Sequence, residues 1–136
     1  MPPIKAVLDS TVFVSALARG GIGAFKILLA AADHDFHAIV SPAIVEELQR
    51  VLMLQGMDLD EVATYLALLS TFVIVVTPVE SITACRDPDD NMVLEVAVAG
   101  GADYIVTEDK DLRVLTPFRG IPIVTIRKFL RKFGMA

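Results

Sequence analysis

Residues 7–16 read VLDSTVFVSA, and the fold turns on how that stretch is understood. Val7 and Leu8 close an apolar run, Asp9 follows, Ser10 and Thr11 add two hydroxyls, and the chain then turns apolar again. A carboxylate placed directly after a buried strand, where a helix begins, needs a partner to offset its desolvation. In open parallel sheets the same place, beyond the carboxyl end of a strand, is where ligands bind.

Four further runs share the character of Ile4–Leu8: Ala38–Val40, Val73–Val76, Tyr104–Val106 and Pro122–Thr125. They are short, rich in β-branched residues and apolar on both faces, as buried parallel strands are. Helical patterns lie between them. Ala24–Ala32 is alanine-rich and periodic. Pro42–Leu54 has Ser41 as its cap and proline at its first position. Leu59–Ser70 opens with an acidic capping box in which Asp58 caps and Glu61 reaches back. Pro88–Ala99 follows Asp87 and stops at Gly100–Gly101. The last helix, about Ile126–Phe133, turns Phe129, Leu130 and Phe133 inward and Arg127, Lys128, Arg131 and Lys132 outward. Strands alternating with helices predict an α/β domain with a parallel sheet and right-handed crossovers.

The 136 residues suffice for one domain, taken as 1–136, with one sizeable core. Hydrophobic residues reach 54%, largely alanine and valine, and the uncharged run Val62–Val79 reads as helix then strand rather than as a membrane span. The amino terminus has no basic-then-apolar signal pattern. A lone cysteine, Cys85, excludes an internal disulfide and fits the reducing cytoplasm. His34 and His37 are expected in a polar turn, without zinc-ligand spacing. The net charge of −5 argues against a nucleic-acid binder. That argument weakens if acids gather round a metal, since 17 acids less four leaves 13 against 12 bases.

Three other acidic positions share the setting of Asp9. Glu47 lies in SPAIVEELQRVL, Asp90 in RDPDDN, and Asp109 follows a strand in YIVTEDKDL, with Asp111 two residues on. Strand-end loops of a parallel sheet share one rim, so these carboxylates can converge. Converging carboxylates repel and take up protons unless a cation intervenes. Mg2+ or Mn2+ suits an all-oxygen set and can serve phosphodiester hydrolysis. Ser10, Thr11 and Thr107 are placed to hydrogen-bond the carboxylates. Each acid also has an ordinary reading. Asp87, Asp89 and Asp90 suit a helix start, Glu46 is as acidic as Glu47, and the TEDKDL segment could be a polar turn.

With these residues in view, the chain resembles the PIN-domain family almost end to end, in the branch of VapC-like toxin components. VLDSTVFVSAL resembles its opening D-T-N/S motif. IVSPAIVEELQRVL resembles its second block, which selects Glu47 over Glu46. CRDPDDNMVLEVAVAGGADYIVTEDKDL resembles its third, registering Asp90, Asp109 and Asp111. The resemblance implies a Rossmann-like three-layer α/β/α sandwich with a five-stranded parallel sheet ordered 3-2-1-4-5. It implies a metal-dependent ribonuclease with Asp9, Glu47, Asp90 and Asp109 as catalytic metal-binding residues and Asp111 assisting. It also implies a frequent homodimer and a small antitoxin protein that blocks the site. The alternatives are a degenerate PIN domain that binds RNA or protein without cutting, and a housekeeping RNA-processing nuclease. Ser10 and Thr11 depart from the usual residues but keep a hydroxyl. Glu108, in place of a small or amide residue, adds negative charge beside Asp109. Two features remain as expectations about partners: RNA contact by the basic face of the last helix, and a dimer through one of the apolar faces in ATYLALL and FKILLAAA.

Overall fold

The computed structural model describes residues 3–135. Five parallel strands form one sheet: β1 (Lys5–Leu8), β2 (His37–Val40), β3 (Val73–Val75), β4 (Tyr104–Val106) and β5 (Ile123–Val124). Their order is β3-β2-β1-β4-β5, with β1 at the centre. Among the described residues seven α-helices complete a three-layer α/β/α sandwich: α1 (Ser10–Ala18), α2 (Ile22–Ala32), α3 (Pro42–Leu54), α4 (Leu59–Leu69), α5 (Asn91–Ala99), α6 (Lys110–Arg113) and α7 (Ile126–Lys132).

Strand order reverses at β1, which runs to β2 on one side and to β4 on the other. Leu8 pairs with Val106 in register, so the next residues, Asp9 and Thr107, leave the sheet side by side. The three central strands are apolar on both faces, and Ala6, Val7, Leu8, Ile105 and Val106 are fully buried. This is why alternation is missing from their sequences.

The helix starts follow local chemistry. The Ser41 hydroxyl accepts from the Ile44 N–H, and Asp58 with Glu61 closes the reciprocal capping box. Helix α5 ends on Gly100–Gly101, where Gly101 takes a φ of 62°, a conformation that glycine tolerates best. The predicted helix from Pro88 begins instead as a 3₁₀ turn over Pro88–Asp90, and the α-helix starts at Asn91. Asp87 caps that turn through the Asp89 N–H, tightening the chain before the helical pattern can start. His34 sits in an exposed turn at φ 61°, but His37 opens β2 rather than sharing that turn. The uncharged run 62–79 divides into α4 and β3, and among the described residues no single helix is long and apolar enough to cross a membrane.

Helix α7 is seated by aromatic packing. Phe129 is fully buried, edge-on to Phe36 at 5.1 Å and to Tyr104 at 5.8 Å, with Phe133 at 4.6 Å. Arg127, Lys128, Arg131 and Lys132 are all exposed. A β-carbon on Gly23 of α2 would lie 3.1 Å from Leu130 and 3.2 Å from Ile126, so glycine permits the close α2–α7 approach.

Candidate metal centre

Asp9 occupies the N-cap of α1, only 4% exposed. One carboxylate oxygen accepts from the Thr11 N–H at 3.1 Å and from the Thr11 hydroxyl, and the other accepts from the Thr107 hydroxyl. Thr107 is itself buried and accepts from the Asp109 N–H at 3.0 Å. Residues 98 positions apart are thus joined in one chain of bonds, from Asp9 through Thr107 to the backbone of Asp109. These bonds pull the Asp9 carboxyl down, but burial outweighs them and pushes it up to about 6.

Asp109 caps α6 by accepting from the Asp111 N–H at 2.9 Å, which sets both acids on one turn. Asp90 is the N-cap of α5 yet makes no capping bond, so its carboxylate is not consumed by its own helix. One oxygen from each of Asp90, Asp109 and Asp111 lies within 4.8 Å of the others. Burial first, then the neighbouring Asp109, push the Asp90 carboxyl up to about 7, with smaller repulsions from Asp87 and Asp9. The ion pairs among the described residues are Arg50–Glu47 at 3.8 Å and Arg119–Glu80 at 2.7 Å. Neither involves this trio or Asp9, so no lysine or arginine among the described residues forms an ion pair with the cluster. An oxygen-only donor set with uncompensated charge fits a hard divalent cation. Cys85 stands close enough to feel Asp90, Asp109 and Asp111. Its thiol is pushed up to about 11, chiefly by burial, and stays protonated at neutral pH.

Glu47 is not part of the 4.8 Å group. Its carboxylate accepts at 2.8 Å from the hydroxyl of Ser10, the residue after Asp9, whereas Glu46 is exposed. Ser10, Thr11 and Thr107 therefore each bond a carboxylate.

The part of Asn91 in this geometry escapes a reading of the sequence, and Glu108, expected there as excess charge beside the metal, has a different role. Asn91, 8% exposed, accepts from the Ala84 and Cys85 N–H groups at 3.0 and 2.8 Å and so ties the preceding loop to the start of α5. An amide at the head of a helix whose only other polar residue is Glu95 was the available signal. Glu108 accepts from the Ile126 N–H at 2.9 Å, and its own N–H donates to the Thr11 hydroxyl at 3.1 Å. Its charge is engaged by the first turn of α7, and it lies outside the metal-ligand group.

The PIN-domain family model matches residues 5–111, and the chain belongs to that family. An uncharacterized protein of Methanocaldococcus jannaschii, MJ1680, is 30% identical over 115 residues, covering 80% of this chain and 73% of that one. Among solved structures, VapBC2 from Rickettsia felis bound to a DNA fragment from their promoter superposes with a TM-score of 0.65 at 12% identity. That match covers 90% of this chain and 98% of that one. PAE2754 from Pyrobaculum aerophilum gives 0.64 at 14% identity, over 98% and 91%. The PIN domain endonuclease Utp24 gives 0.59 at 17%, over 92% and 86%. At these identities the structures speak for the fold.

Proposed function

We propose that the chain is a Mg2+- or Mn2+-dependent endoribonuclease. The observation that carries this reading is the trio Asp90, Asp109 and Asp111, drawn together from separate segments without a balancing cation. Asp9, Asp90, Asp109 and Glu47 would hold the metal, with Asp111 assisting. When bound, the ion would acidify a coordinated water and offset the charge that builds on the phosphate in an in-line displacement. The protein's own part is positional. Thr107 and Thr11 hold both oxygens of Asp9: the one facing Thr11 accepts two bonds, and the one facing Thr107 accepts one and keeps a free lone pair. Ser10 holds Glu47 at the rim, and the Asp111 N–H fixes Asp109. Asp90 must give up the proton that its surroundings favour.

The test is cleavage of single-stranded RNA. Mn2+ should support it and EDTA should abolish it, and Asp109→Asn should lower it by about 10³-fold, since several kcal/mol of charge stabilisation would be lost. Cleavage that persists in EDTA would remove the reading.

The motif resemblance, together with the likeness of fold to VapBC2, supports a cytoplasmic toxin paired with a small antitoxin protein. We read the whole chain, 1–136, as a single domain. We also propose a homodimer. On α2 the large side chains Ile22, Phe25 and Leu29 are at least half exposed, and on α4 Leu59 and Leu68 are about 60% exposed. Light scattering should give twice 14.7 kDa, and a mass of 14.7 kDa would exclude the stable dimer.

A further inference from the structure

The basic face of α7 is not uniform. Lys128 and Lys132, one helical turn apart, line a cavity of about 240 Å³ whose other walls are Tyr104, Pro122, Val124 and Phe129. Arg127 and Arg131, also exposed and equally charged, are not among its walls. The Tyr104 ring is partly open, with the Lys132 ammonium 6.0 Å from its centroid. Neither lysine is in an ion pair among the described residues.

We infer that this cavity is a subsite for one nucleotide of a single-stranded RNA, with a base on the Tyr104 side and flanking phosphates on Lys128 and Lys132. The inference rests on the nuclease reading. Three features favour a nucleotide. The pocket joins apolar and aromatic walls to two cations, the pairing that single-strand binders use. It is smaller than the roughly 300–1,000 Å³ of a free small-molecule site, so it suits one unit of a polymer held elsewhere. The helix that carries both lysines also begins beside the proposed centre. The first N–H of α7, that of Ile126, is held by Glu108, next to Asp109. From there to Lys132 the helix spans about 10 Å, the length of roughly three stacked nucleotides. An acidic aromatic peptide would satisfy the same cations, but it has no second anchor at a carboxylate rim.

The experiment compares two double variants of equal charge change on one helix, Lys128→Ala/Lys132→Ala and Arg127→Ala/Arg131→Ala. Both carry Asp109→Asn so that the strand survives, and binding of a labelled single-stranded RNA is read by anisotropy over a salt series. The lysine pair should weaken binding about tenfold and reduce the log–log salt slope by about 1.4, the value for two phosphates on a single strand. The arginine pair should change affinity less than twofold. Tyr104→Leu, which keeps apolar bulk beside Phe129, should cost about fivefold with the salt slope unchanged. Equal losses for the two pairs would overturn the subsite in favour of a diffuse cationic face. An acidic aromatic peptide that binds through the lysines, with RNA binding unaffected by their loss, would overturn it in favour of a protein partner. With Asp109 restored, RNA cleavage that depends on Mn2+ but is indifferent to the lysines sinks this inference alone. A chain that neither binds nor cleaves RNA sinks the nuclease reading and the subsite with it.

Discussion

Asp9→Asn should abolish Mn2+-dependent RNA cleavage, lowering kcat/KM by about 10³-fold or more, and should leave the metal-free protein at least as stable as the wild type at pH 8. The two halves come from one fact, the burial of Asp9 at 4% exposure. Asparagine keeps the oxygen that accepts from the Thr11 N–H, and it caps a helix about as well as aspartate. Its amide can donate to the Thr107 hydroxyl, reversing a bond without losing it. What it removes is the charge. The folded carboxyl holds its proton up to about 6, against 3.8 ordinarily. The folded state therefore binds more protons than the unfolded chain between those values. Stability from this group is present at low pH and is lost as pH rises through about 6. Full ionisation costs about 3 kcal/mol, from a shift of about two units at 1.36 kcal/mol each. Undiminished cleavage by the mutant would remove Asp9 from the reaction. A melting temperature at pH 8 more than about 5 °C below wild type would refute the burial account.

Mn2+ should stabilise the protein strongly at pH 8 and weakly at pH 5. Asp90 and Asp9 hold protons up to about 7 and about 6 in the metal-free protein. At pH 5 a cation must displace those protons, and at pH 8 it meets two carboxylates whose mutual repulsion it relieves. At a hundredfold excess over Kd the gain is about 2.7 kcal/mol. For a chain of this size that raises Tm by about 10 °C at pH 8. The apparent affinity should fall steeply between pH 8 and pH 5. Thermal scans with and without Mn2+ at the two pH values give the answer. Shifts of equal size would mean that the titrating acids are not the ligands, and no shift at either pH would leave the trio without an ion.

Much of this architecture was legible in the chain because its strands and caps carry local signals. Apolar runs such as Val7–Leu8 and Ile105–Val106, proline and serine at the start of α3, and the Asp58–Glu61 box each specify their element within a few residues. The 3₁₀ start of α5 was not legible, because the same DPDD residues suit either kind of turn. The candidate centre divides in a similar way. That Asp9 and Asp109 would emerge from strands was readable. That Asp90 would leave its own helix uncapped, while Asp109 bonds Asp111, depends on how the loops pack. Glu108 shows the limit most clearly. Beside Asp109 in the sequence it looks like excess charge at a metal, yet in three dimensions it serves the first turn of α7, through a partner 18 residues away.

The bond between Thr107 and Asp9 has a consequence for biosynthesis. A ribosome delivers the Asp9 carboxylate 98 residues before the hydroxyl that orients it, and the two acids on the turn beyond come later still. A nascent chain that ends before Asp111 lacks the last member of the trio, whatever its first strands have already formed. Any cutting performed at this rim is therefore withheld from the message being translated until Asp111 has cleared the exit tunnel.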